Sequence, residues 1–195
     1  MYLILFSSIV ALAIFIERMW QLYCAKINTA NFMADISKTI RENRIKEAVD
    51  ICSRTGGPVA NILKAGILKH DRSRAEIRET IEDAGIHEVP ELEKNIGVLA
   101  TIAHISPLLG LLGTVLGMVK AFQVIQEKAV AFNPVNPGDL AGGIWEALIT
   151  TVAGLAVAIP TFVAYNFLVS RVETIVLDME RSSTELINIL SQRQG

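Results

Sequence analysis

Two stretches decide the fold. They are Pro107-Leu-Leu-Gly110-Leu-Leu-Gly113-Thr114-Val-Leu-Gly117 and Gly143-Ile-Trp-Glu146-Ala-Leu-Ile-Thr150-Thr151-Val-Ala-Gly154-Leu-Ala-Val-Ala158-Ile-Pro160. Each lies in a long apolar run, residues 97–125 for the first and 144–169 for the second. A hydrocarbon core about 30 Å thick takes ~20 apolar residues of helix, and both runs are long enough. A third such run opens the chain at residues 1–23, interrupted only by Glu17 and Arg18 near its end. A signal peptide is the alternative reading of that run, because Ala11-Leu-Ala13 resembles a cleavage site. The lack of a basic segment ahead of it favours a span. The expectation is an all-α integral membrane protein with three transmembrane helices and long helical cytoplasmic extensions.

Composition agrees with that division. Hydrophobic residues make up 51% of the chain and charged residues 19%, which suits apolar spans joined to a polar aqueous part. Lysine and arginine near the span ends set the orientation. Arg18 and Lys26 follow span 1, Lys94 precedes span 2, and Arg171 and Arg181 follow span 3. The short connection at 126–143 carries one basic residue, Lys128, so it and the amino terminus face the periplasm. Residues 24–96 and 170–195 are then cytoplasmic. Lys120 lies near the outer interface, where a lysine can snorkel.

Several functions are excluded by what the chain lacks. Cys24 and Cys52 form no CxxC pair, and His70, His87 and His104 show no metal-ligand spacing. There is no basic block for nucleic acid. Nucleophile motifs, phosphate-binding loops and dinucleotide-binding turns are missing. Neither an enzyme, a metal site nor a cofactor is expected.

The cytoplasmic segment reads as helices with clear stop signals. Phe32, Ile36, Ile40, Ile45, Ala48, Val49 and Cys52 form one apolar stripe that ends at Gly56-Gly57. Pro58 fits the first turn of the next helix, which carries Val59, Ile62, Leu63 and Ile67. Ser73-Arg-Ala-Glu76 has capping-box spacing and opens a third helix through Ile77 and Ile81. Leu92, Ile96 and Leu99 suggest one helix running on into span 2. Val172, Ile175, Met179, Leu186 and Leu190 carry span 3 on as a cytoplasmic helix. Roughly 70 residues of such helices make a thin core unless neighbouring subunits cover it.

The two inner spans have special faces. At 100° per residue, Ala103, Ser106, Pro107, Gly110, Gly113, Thr114, Gly117 and Ala121 share one side of span 2. In span 3, Glu146, Ala147, Thr150, Thr151, Gly154, Ala158, Thr161 and Tyr165 share an arc of about 140°. Small residues pack helices closely in lipid, which is the reading for Gly110, Gly113, Gly117 and Gly154. Mid-span threonines usually bond a carbonyl one turn back. Glu146 is different. A membrane carboxylate costs ~2.5–3.5 kcal/mol and has no lysine or arginine one turn away along its helix. It marks an ion or proton route, or binds a polar partner in the bundle interior, with Thr150 and Thr151 on the same arc. Pro107 and Pro160 remove amide donors and favour kinks or carbonyls offered to a cavity.

At these residues the chain resembles the MotA/TolQ/ExbB proton-channel family, in its TolQ/ExbB branch. The stretches that carry the resemblance are residues 100–117 and 143–160, with Ala164-Tyr-Asn166 and Ile16-Glu-Arg18 beside them. His104, Leu112 and Leu116 depart from the usual family pattern. The three-span count fits this branch rather than the four-span MotA branch. The resemblance implies a homopentamer around a single-span ExbD/TolR-like partner with a membrane aspartate. A TonB/TolA-like protein is a further partner that it allows. It also implies that Thr114, Thr151 and Glu146 line a proton pore in a bacterial inner-membrane complex that powers import or envelope maintenance. The competing expectation is a non-conducting scaffold whose polar stripe only packs helices.

Overall fold

The computed structural model describes residues 2–25, 27–130, 134 and 136–194, and every regular element among them is an α-helix. The helices are α1 (Tyr2–Ala25), α2 (Thr29–Arg41), α3 (Ile45–Thr55), α4 (Gly57–Leu68), α5 (Arg74–Glu93), α6 (Ile96–Val130) and α7 (Pro137–Gln194). Three helical stretches, containing α1, α6 and α7, are long and apolar enough to cross a membrane. Met1 at the head of the first span and Lys26, counted above for orientation, lie outside the described residues. So do residues 131–133 and 135 of the connection.

The local signals act where their chemistry places them. The Ser73 hydroxyl accepts the Glu76 amide at 3.3 Å, and the Glu76 carboxylate accepts the Ser73 amide at 3.0 Å. This reciprocal box starts α5 by satisfying two amides that have no partner within the helix. Gly56 and Gly57 adopt positive φ values of 66° and 85°, and Pro58 follows in the first turn of α4. Residues with a Cβ pay for that backbone and glycine does not.

Two expected continuous helices are instead broken. The Phe32–Cys52 stripe is split into α2 and α3 around Asn43, whose φ is 65°. Likewise α5 ends at Glu93 and α6 begins at Ile96, with Asn95 at φ 60° between them. Asparagine tolerates the left-handed region better than other residues with a side chain, so each breaks the helix at its own position. Proline is accommodated inside α5 at Pro90, inside α6 at Pro107 and inside α7 at Pro160.

The chain forms two compact units. One contains α1 up to Glu17 together with Asn95–Phe167. Its buried positions are mostly small: Ala11, Ala103, Ser106, Gly110, Gly117, Ala121, Ala147, Gly154 and Ala158. Leu108, Leu111, Val115, Leu116 and Phe122 of α6 are exposed, as are Leu148, Val152 and Ile159 of α7. Burying small residues while large apolar ones face out is the arrangement of helices solvated by lipid.

The other unit contains Arg18–Lys94 and α7 from Leu168 onward. Here the core is conventional. Ile36, Ile40, Leu63, Ile67, Leu168 and Leu186 are fully buried. A Cβ on Gly66 would lie 2.6 Å from Ile81 Cδ1 and 3.1 Å from Leu186 Cδ2, so α4, α5 and the end of α7 meet at that point. The thin core expected from residues 24–96 is thus thickened within one chain, because the tail of α7 supplies Leu186, Ile187 and Leu190. Arg18 is also buried in this unit and donates through Nη1 to the Glu91 carbonyl at 3.2 Å.

Candidate functional site

Close contact between α6 and α7 builds the site. A Cβ on Gly154 would stand 2.6 Å from the Ser106 carbonyl and 3.1 Å from Gly110 Cα. One on Gly110 would stand 3.1 Å from the Thr150 carbonyl and from Thr151 Cα. At Gly113 it would collide with the Thr150 side chain. A Cβ on Gly117 would stand 2.8 Å from Ala147 Cβ and 2.9 Å from the Gly143 carbonyl, and one on Gly143 would stand 2.8 Å from Ala121 Cβ. Rising numbers on α6 oppose falling numbers on α7, so the two helices are antiparallel with glycine on both sides of the seam. Backbones this close leave no room for larger residues.

Against this seam the polar residues fall in distinct places. Thr150 is half-buried and its hydroxyl donates to the Ala147 carbonyl at 2.7 Å. Thr114 is half-buried and donates to Leu111 at 2.6 Å, and buried Thr161 donates to Val157 at 2.7 Å. These bonds close on their own helices, as mid-helix threonines commonly do. Thr151 instead donates across the seam to the Gly110 carbonyl at 3.2 Å. The structure therefore brings Thr150 and Thr151 against Gly113 and Gly110. Thr114 has no hydrogen bond to α7 among the described residues. Ala103 and Ala158 are buried, Pro107 is half-buried and Pro160 is exposed.

Glu146 is exposed and lies about 140° around α7 from Thr151. No basic residue stands one turn away on its own helix, but Lys120 reaches it from α6, Nζ to Oε2 3.0 Å. Spacing along α7 does not reveal this pairing, because the ammonium comes from the neighbouring helix, where the sequence predicts a snorkelling Lys120. A signal for it exists in hindsight. Once the glycines fix the antiparallel register, Gly117 sits opposite Ala147 and Lys120 lies close to Glu146. His104 is a second polar group on α6. Its Nδ1 lies 2.6 Å from the Ala100 carbonyl and its ring meets Phe162 edge-on, with centroids 6.2 Å apart.

The profile of the MotA/TolQ/ExbB proton channel family matches residues 54–181. The chain belongs to this family. Within it, the similarity is to the TolQ/ExbB branch. A biopolymer transport protein ExbB homolog of Methanothermobacter thermautotrophicus is 29% identical over 149 residues, covering 76% of this chain and 51% of that protein. An ExbB-like protein of Synechocystis is 31% identical over 159 residues, with 82% and 75% covered. The Tol-Pal system protein TolQ of Haemophilus influenzae is 40% identical over 107 residues, with 54% and 45% covered. The chain thus spans about half the length of the first and last of these relatives. The MotA/TolQ/ExbB match includes all of α4, α5 and α6 and most of α7, and so contains the whole seam.

Proposed function

We propose that this chain is a proton-channel subunit of an energy-transducing complex in the bacterial inner membrane. One observation carries the reading. Within the apolar spans of α6 and α7, Thr151 bonds across a glycine seam, Thr150 packs against Gly113 on it, and Glu146 meets Lys120 at its exposed edge. Hydroxyls and a carboxylate held at lipid depth are costly, and they are retained where charge moves or a polar partner docks. Membership of a proton channel family points the same way.

In this reading the amino terminus and the α6–α7 connection face the periplasm, and the helical unit built around α2–α5 lies in the cytoplasm. A homopentamer surrounds a single-span ExbD/TolR-like partner whose membrane aspartate carries the proton. Thr114, Glu146, Thr150 and Thr151 line the route, while Gly110, Gly113, Gly117 and Gly154 hold the walls together. A TonB/TolA-like protein receives the work. One charge crossing 100 mV releases about 2.3 kcal/mol, so a few protons suffice to shift a partner between two positions.

The test is proton uptake in vesicles holding the assembled complex. Thr114→Ala, Thr151→Ala and Glu146→Gln should each abolish partner-dependent uptake while the complex still assembles. A second reading, a non-conducting scaffold, draws support from the glycine contacts and from threonine hydroxyls satisfied within the chain. It requires wild-type behaviour from all three variants.

A further inference from the structure

Lys120 and Glu146 meet across the α6–α7 seam at 3.0 Å, 26 residues apart in sequence. Their side chains are 65% and 62% exposed in the single chain, so burial does not force them together. The seam does. Gly117 against Ala147 and Gly113 against Thr150 fix how close the backbones run, and that spacing sets the carboxylate within reach of the lysine. Along α7 the residues one turn from Glu146 are Gly142, Gly143, Ile149 and Thr150, none of which carries a charge. The other charged or titratable groups of this unit with described side chains include Glu17, His104, Glu127 and Lys128. Glu17 lies on α1 and the other three on α6, and the ion pair that Glu146 makes is with Lys120. An exposed ion pair in water contributes little. Beside apolar helices screening is weaker, and removing one partner leaves the other charge uncompensated.

The geometry points to Lys120 as the positioning residue of the polar face. Its ammonium holds the Glu146 carboxylate at the seam, and this pair opens each time Glu146 exchanges an ion or a partner contact. The inference rests on the proposed role of Glu146 in the ion route, but its geometry stands apart from that role and is tested separately.

A water-soluble carbodiimide joins a carboxylate to an amine that touches it. Applied to the full complex in native membranes, it should give a Lys120–Glu146 isopeptide link within one chain, identified by mass spectrometry with mixed light and heavy subunits. Lys120→Gln and Glu146→Gln should each remove it. A link from Lys120 to a different subunit, or to another carboxylate, overturns the inference, as does no link. In the proton-uptake assay Lys120→Gln should lower the rate roughly tenfold, within the range for coupled neighbours. Lys120→Arg should restore most of it, and Lys120→Gln should add nothing in a Glu146→Gln background. Normal uptake in Lys120→Gln with none in Glu146→Gln overturns the inference and leaves the proposed function standing. Normal uptake in both overturns both.

Discussion

Replacing Gly154 with alanine would place a methyl 2.6 Å from the Ser106 carbonyl oxygen, 3.1 Å from Gly110 Cα and 3.2 Å from the Gly110 nitrogen. All three are backbone atoms, so no change of rotamer relieves the overlap. Carbon contacts are best at about 3.5–4.0 Å, so the helices must part by roughly 0.5–1 Å. A gap of that size forfeits a quarter to a half of each van der Waals contact it opens. Such contacts are the main force between helices in lipid. Overpacking of this kind costs ~1–3 kcal/mol, and Gly154→Ala should destabilise by that amount. Gly142→Ala is the control, because nothing lies within 4 Å of the Cβ it would add. There, alanine's better helix propensity should give no loss and a gain of up to ~1 kcal/mol. Unfolding in mixed micelles of rising SDS content, followed by the fluorescence of Trp20 and Trp145, measures both. Gly154→Ala as stable as Gly142→Ala would refute the close seam.

Other outcomes follow from the second unit. Leu63→Ala removes a fully buried side chain and should cost ~2–5 kcal/mol in thermal unfolding. Burial pushes the Cys52 thiol up to about 11, with nearby Lys64 acting against the shift. A maleimide at neutral pH should therefore modify exposed Cys24 and spare Cys52 until the protein unfolds. The raised folded value also means that stability from Cys52 is complete below its unfolded value of about 8.5 and lost as pH rises towards 11. Ser73→Ala should destabilise α5 by ~1 kcal/mol in the same unfolding assay. The Ser73 hydroxyl and amide hold the Glu76 carboxyl below its ordinary range. Its contribution is complete above about 4.3 and fades as pH falls through the lowered folded value, so Ser73→Ala should flatten the acid limb of the stability curve.

Much of this was legible because the signals were local. The apolar runs of α1, α6 and α7 state their own length. Ser73 and Glu76 specify a cap from three residues' spacing, and Gly56-Gly57-Pro58 specifies a stop followed by a start. The glycines of α6 and α7 announced a smooth face before the structure showed what filled it. The break at Asn95 was hidden because Leu92 and Ile96 keep helical spacing across it, whereas Ile40 and Ile45, five residues and about 140° apart, already depart from that spacing around Asn43. Periodicity reports which face is apolar and not whether the backbone continues. The Lys120–Glu146 pair was hidden for a different reason. Each residue sees its partner only through the register of a second helix, and α7 itself holds no counter-charge within a turn of Glu146. Thr151 could be placed on the polar arc, but not distinguished from Thr150, until its hydroxyl was seen to cross to Gly110.

The central claim is that the seam of α6 and α7 presents its polar residues to water inside the assembled complex. Spin labels placed one at a time at positions 148, 151 and 152, in a chain otherwise free of reactive thiols, address it through collision with a water-soluble nickel chelate and with lipid-soluble oxygen. The label at 151 should relax with the chelate, and those at 148 and 152 with oxygen. A label at 151 that behaves like its neighbour at 152 would place Thr151 against acyl chains and contradict the account.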